Sequence, residues 1–126
     1  MPGRELQDHR RVEQMDLYYK STRNSNLKVT ASEAILKVLA PDGGLFVPEK
    51  LPVLGKSMEE LKDLNYQDTA YEVMKCFLTD FTEEELRNCI EKAYDSKFDD
   101  EAIAPLVKVE DTYYLELFHG ATIAFK

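Results

Sequence analysis

Three segments of this chain carry the same helix-start signature, and together they dictate where its helices begin. Thr30-Ala-Ser-Glu33, Ser57-Met-Glu-Glu60 and Thr82-Glu-Glu-Glu85 each set a hydroxyl residue three positions ahead of a glutamate. In such a capping box the hydroxyl accepts from the amide at the third helical position, and the glutamate reaches back to the cap's own amide. Two donors that a helix start leaves open are satisfied at once. Behind the first box, Ala34, Ile35, Val38 and Leu39 share an apolar face, which predicts a short helix over 31–39. The second box predicts a helix over 58–63. The third predicts 83–94, with Leu86, Cys89, Ile90, Ala93 and Tyr94 turned inward and three acids at 83–85 complementing the helix dipole. Asn65 supplies a simple cap for 66–78, where Tyr66, Ala70, Val73, Met74, Phe77 and Leu78 form one stripe.

Between and beyond these helices the texture is that of short strands. Asp16–Lys20 is rich in aromatics, Leu45-Phe46-Val47 is apolar and closed by Pro48, and Leu106–Val109 with Tyr113–Phe118 brackets Glu110-Asp111 as a β-hairpin. Pro41-Asp42-Gly43-Gly44 ends the first helix. It lacks the glycine spacing and the following helix of a phosphate loop, so it reads as a plain turn. The expected fold class is α/β in the mixed α+β sense, a small sheet with about four helices and four short strands.

A chain of 126 residues holds one modest domain, and 44% hydrophobic with 32% charged residues is a folded rather than a disordered profile. Sixteen basic against 24 acidic residues give a formal charge of −8, which argues against binding to nucleic acid or to an anionic membrane surface. No apolar run approaches the ~20 residues of a membrane span. Cys76 and Cys89 lie in helix-like apolar patterns and read as two buried thiols, not as a disulfide framework or zinc site. With no signal-peptide core near the start, a cytoplasmic protein is expected. Residues 1–14 are polar, with Arg4, Arg10 and Arg11 set among Glu5, Asp8 and Glu13, and read as a flexible tail or leader ahead of Met15. The carboxylates at 83–85, 99–101 and 110–111 lack the spacing of a calcium loop, and helix starts and turns account for them.

The last nine residues, Phe118-His-Gly-Ala-Thr-Ile-Ala-Phe-Lys126, differ from all that precede them. Gly120 permits a tight turn or a close backbone approach. Thr122 offers a hydroxyl. Lys126 is a primary amine among small and apolar residues, where burial disfavours the ammonium form and leaves a nucleophile able to form a Schiff base. His119 reads equally as a contact to a cofactor or substrate and as a hydrogen-bonded structural residue. Near the other end, Arg23 stands beside Ser21 and Thr22. That set can bind an anion, or Arg23 can form a surface ion pair with one of the many acids.

Three segments occur in an order that resembles the N-terminal part of the threonine synthase family. They are Tyr19-Lys-Ser-Thr-Arg-Asn24, Ala40-Pro-Asp-Gly-Gly-Leu-Phe-Val-Pro48 and Leu115-Glu-Leu-Phe-His-Gly-Ala-Thr-Ile-Ala-Phe-Lys126. The resemblance covers roughly 15–126. It implies a fold-type II pyridoxal 5'-phosphate enzyme that converts O-phospho-L-homoserine and water to L-threonine and phosphate by β,γ-elimination and replacement. Lys126 is then the cofactor lysine and the catalytic amine, with His119, Gly120 and Thr122 lining the cofactor pocket and Arg23 touching the substrate phosphate. Ala121 departs from the family, which usually has proline there. The resemblance divides the chain into a tail (1–14), an N-terminal α/β domain (15–105), and a hairpin that opens the cofactor-binding domain (106–126). It makes the remainder of the same chain the partner, and it implies no turnover by residues 1–126 alone. The competing readings are a stand-alone, noncatalytic binding module derived from that domain, and a noncatalytic threonine synthase-like relative acting on other phosphorylated substrates. Either the missing remainder or a partner would have to cover Tyr113, Leu115, Leu117, Ile123 and Phe125.

Overall fold

The computed structural model describes residues 16–122. In chain order it contains β1 (Tyr19–Ser21), α1 (Ala31–Lys37), β2 (Phe46–Pro48), α2 (Met58–Leu61), α3 (Tyr66–Phe77), α4 (Glu83–Ala93), β3 (Leu106–Val109) and β4 (Thr112–Leu115). The mixed α/β class matches the expectation. The strands, however, form two separate antiparallel pairs, β1 with β2 and β3 with β4, rather than one small sheet.

All three capping boxes form. The side chains of Thr30, Ser57 and Thr82 accept from the amides of Glu33, Glu60 and Glu85. The glutamates accept in turn from the cap amides, at 2.8 Å for Thr30 and Ser57 and 2.9 Å for Thr82. Asn65 caps α3 through the Asp68 amide at 2.8 Å. The three acids at the start of α4 and Lys92 in its last turn both complement its dipole.

The helix ends depart from the sequence reading. α1 stops at Lys37 because Val38 takes a φ of 63° and a ψ of −54°, and the Leu39 amide turns back to the Lys37 carbonyl at 2.6 Å. A positive φ is strained for a β-branched residue. This tight turn splits the expected apolar face. Ala31 and Ala34 are buried, whereas Ile35, Val38 and Leu39 are exposed. α2 ends at Leu61 and buries none of its residues.

The strands shift too. β1 begins at Tyr19, not Asp16, because its partners are Pro48, Val47 and Phe46. Tyr19 also makes a bridge to Val29, with amide–carbonyl bonds of 2.8 and 2.9 Å. The last hairpin strand stops at Leu115 instead of Phe118. Leu115 pairs with Leu106, the first residue of β3, and the next amide, that of Glu116, turns to the Pro105 carbonyl at 3.0 Å.

The core gathers Leu17, Val29, Ala31, Ala34 and Ala40 near the start of the chain, with Leu86, Ile90 and Ile103 further on. Distant segments are tied by polar bonds. The Leu17 amide donates to Thr79 Oγ1 at 2.9 Å, the Tyr19 hydroxyl donates to the Phe77 carbonyl at 2.9 Å, and the Ser32 amide donates to Asp80 Oδ2 at 3.1 Å. Together they fasten β1 and the start of α1 to the end of α3. Gln67 of α3 donates to the Tyr94 carbonyl at 2.7 Å, and Tyr66 meets the Tyr94 ring edge-on at 4.9 Å between centroids, closing α3 on the end of α4.

The cysteines correct the sequence reading in part. Both are free, but Cys89 is exposed and Cys76 only half-buried. Cys89 sits on the wall of an apolar cavity of about 300 Å³, shared with Ile35, Met74, Leu78, Phe81 and Leu86, that remains open to solvent at the thiol. Ala93, also expected inward, is exposed. No helix among the described residues is long and apolar enough to cross a membrane.

Candidate functional site

The residues that could carry chemistry fall into two clusters. The first is built on the turn after α1. Ser21 is 2% exposed, and its hydroxyl donates to Asp42 Oδ1 at 2.7 Å while accepting from the Arg23 amide at 3.1 Å. Asp42 Oδ1 also accepts from the Gly44 amide at 2.9 Å. The Ser21 hydroxyl and the Gly44 amide together hold the Asp42 carboxyl below its ordinary pKa, because both favour the ionised form. The turn closes through Gly43 N to the Ala40 carbonyl at 2.9 Å and Ala40 N to the Gly44 carbonyl at 3.0 Å, so the plain-turn reading stands. Gly43 has a φ of 79°, where glycine alone is unstrained.

Arg23 leans on this turn. Its Nη1 donates to the Asp42 carbonyl at 3.0 Å, and the residue is exposed. Among the described residues it makes no ion pair with a carboxylate. A guanidinium held by a neutral carbonyl keeps donors and charge for another anion.

The second cluster lies just after the hairpin. His119 Nδ1 stands 2.5 Å from Asp99 Oδ1, and Nε2 stands 2.7 Å from Glu116 Oε2. The histidine side chain is 13% exposed. The Glu116 hydrogen bond first, then that of Asp99, raises its pKa above the ordinary histidine value. The Asp99 amide donates to the His119 carbonyl at 3.2 Å, so backbone and side chain join the same two segments. The Phe118 ring lies against the imidazole at 4.6 Å, and a Cβ on Gly120 would meet the Phe98 ring at 3.1 Å. Thr122 is exposed. Lys126, with Ile123 and Phe125, lies outside the described residues, as does the 1–14 tail.

The structure therefore brings His119 and Gly120 together against the 95–103 loop and sets Arg23 in a different cluster. Both ring nitrogens of His119 are engaged by carboxylates, as the structural reading of this histidine requires. What the segment offers is a fixed backbone shortly ahead of Lys126. Sequence reasoning missed Asp99 and Glu116. The signal is an acid three residues before His119 and the acidic run at 99–101, whose local chemistry points only to a turn. No group of acids, histidines and cysteines among the described residues could hold a metal ion.

Comparison with known proteins converges on one family. The family described as threonine synthase N terminus matches residues 18–94. A threonine synthase of Eremothecium gossypii is 41% identical over an alignment of 122 positions that covers 89% of this chain and 24% of that protein. The threonine synthase of Saccharomyces cerevisiae is 36% identical, over 86% of this chain and 23% of its own length. The crystal structure of PLP-bound threonine synthase from Brucella melitensis superposes with a TM-score of 0.75 at 32% identity, covering 86% of this chain and 24% of that one. The chain thus spans about a quarter of the length of the relatives it matches.

Proposed function

The chain belongs to the threonine synthase family as its N-terminal part, and we propose that the complete protein converts O-phospho-L-homoserine and water to L-threonine and phosphate. The observation that carries this reading is the family match over residues 18–94, continued by the Leu115–Lys126 segment that resembles the family's cofactor-lysine motif. Pyridoxal 5'-phosphate, when bound, supplies the electron sink that expulsion of phosphate from such a substrate needs. In this reading Lys126 carries the cofactor and moves protons at its Nζ. In the same reading His119, Gly120 and Thr122 line the cofactor pocket. Arg23 contacts the substrate phosphate, which its exposed guanidinium, resting on a neutral carbonyl, supports. Residues 15–105 form the N-terminal domain, and 106–126 open the cofactor-binding domain.

The remainder of the same chain is the proposed cover for the hairpin. All four residues of each hairpin strand are exposed, and Leu117 and Phe118 beyond it are also more than half exposed. Apolar surface of this extent calls for an occupant, and a continuing chain is the nearest one. The two free thiols suit a reducing compartment, and the cytoplasm is the proposed location.

The test is reductive trapping alongside assay. One portion of the complete protein loaded with pyridoxal phosphate is reduced with borohydride and mapped by mass spectrometry, and phosphate and threonine are measured from O-phospho-L-homoserine with a second, unreduced portion. The expected result is a pyridoxyl group on Lys126 and release of both products, each lost in Lys126→Ala. Fixation at another lysine, or no threonine formed, would overturn the reading.

A further inference from the structure

We propose that Asp99 and Glu116 together hold His119 as an imidazolium clasp, and that this clasp positions the segment leading to Lys126. The positioning role rests on the reading of Lys126 given above.

The argument starts from the donor count of the imidazole. A neutral ring has one N–H and one acceptor nitrogen. Here each nitrogen meets a carboxylate oxygen, at 2.5 Å for Asp99 and 2.7 Å for Glu116. An ionised carboxylate only accepts, so both contacts are hydrogen bonds only when both nitrogens carry protons. The doubly protonated ring also places one positive charge between two negative ones, which makes both bonds charge-assisted. The two carboxylates come from different segments. Asp99 belongs to the acidic loop after α4, and Glu116 follows β4 directly. Among the described residues they are the carboxylates paired with the ring, one from each of the two segments.

The clasp therefore joins two segments that share no ladder. It is reinforced by the Asp99 amide on the His119 carbonyl at 3.2 Å and by Phe98 packed where a side chain at Gly120 would stand. Phe118, His119 and Gly120 are thereby fixed against the 95–103 loop only a few residues ahead of Lys126. With both nitrogens committed, His119 acts through the placement of its own backbone and is a positioning residue. Deprotonation removes one of the two bonds, so the clasp loosens as pH rises through the histidine's own value.

The test begins with the ring of the wild-type protein itself. Nitrogen-15 NMR of the histidine rings is followed against pH, with His119→Gln used to assign the signal. The expected result is a ring protonated at both nitrogens at neutral pH, titrating above the ordinary value of about 6.5. A neutral His119 ring at that pH would overturn the clasp. The second arm uses the complete protein. Asp99→Asn and Glu116→Gln are compared with wild type for the rate of borohydride fixation of pyridoxal phosphate on Lys126 at limiting cofactor. A several-fold slower fixation, with the His119 titration moved down towards the ordinary value, supports the positioning role. Unchanged fixation in both variants overturns it. Failure of the wild type to be fixed on Lys126 overturns the cofactor-lysine reading and the positioning role with it, while the ring titration still decides the clasp.

Discussion

The buried hydroxyl of Ser21 donates to the Asp42 carboxylate at 2.7 Å across 21 residues of chain, joining the end of β1 to the turn that follows α1. This bond organises the whole first cluster. It holds Asp42 where it can accept from Gly44, and it leaves the Asp42 carbonyl facing Arg23.

Gly44 is where that cluster tolerates no side chain. A Cβ there would lie 2.2 Å from Ser21 Oγ and 3.0 Å from both Asp42 Oδ1 and Thr22 Oγ1. The serine is buried and bonded, so it has no room to retreat. Gly44→Ala is expected to cost about 1–3 kcal/mol, the usual range for overpacking a tight site. Urea unfolding of the two proteins checks this, and an unchanged midpoint would show that the turn relaxes.

Asp42 makes stability depend on pH in a definite direction. Its folded-state pKa is depressed, chiefly by the Ser21 hydroxyl and then by the Gly44 amide. Its contribution is therefore present above the unfolded value of about 3.9 and is lost as pH falls through the lower folded value. In Asp42→Asn the deficit relative to wild type should be visible near neutrality and shrink in acid. Unfolding free energies measured from neutral pH down through the carboxylate range report this, and a deficit that stays constant would assign the effect to geometry alone.

Arg23 gives the functional counterpart. If it contacts the substrate phosphate, Arg23→Gln in the complete protein raises KM with little change in kcat, the pattern of lost uniform binding. Steady-state assays with O-phospho-L-homoserine separate this from a purely structural role. An unaltered KM would leave Arg23 as a buttress for the Asp42 carbonyl.

The helix caps differ in value although their sequences look alike. Thr82 caps an eleven-residue helix that buries Leu86 and Ile90, so Thr82→Ala should cost about 1 kcal/mol of global stability. Ser57 caps a four-residue helix that buries nothing. A helix with nothing buried is expected to open locally without the rest of the domain. Ser57→Ala should leave the global midpoint nearly unmoved while speeding amide exchange at Glu60 and Leu61. Equal losses from both variants would mean that α2 is part of the cooperative unit.

The sequence was legible where local chemistry decides. The three capping boxes and the Asn65 cap name their helix starts to the residue, because each rests on bonds made within four residues. It was less legible where an element's limit is set from elsewhere. The end of β4 depends on the reach of β3, and the end of α1 depends on Val38 entering a conformation that no valine propensity suggests. The apolar spacing of Ile35, Val38 and Leu39 was real, yet spacing does not say what will cover a face. At the second cluster the sequence set Glu116 within reach of His119 but gave no pointer to Asp99, which lies 20 residues away and is brought close only by the fold.

The three polar ties between the start of the chain and the end of α3 also set a timetable. Leu17 waits for Thr79, Tyr19 for Phe77 and Ser32 for Asp80, spans of 62, 58 and 48 residues. Closing loops of that length must precede the contacts that reward it. On a ribosome, β1 and the entrance to α1 emerge long before their anchors do. Their ties to the end of α3 can close only when Asp80 has left the exit tunnel, so a pause in synthesis before that codon would leave the Leu17 amide, the Tyr19 hydroxyl and the Ser32 amide without these partners.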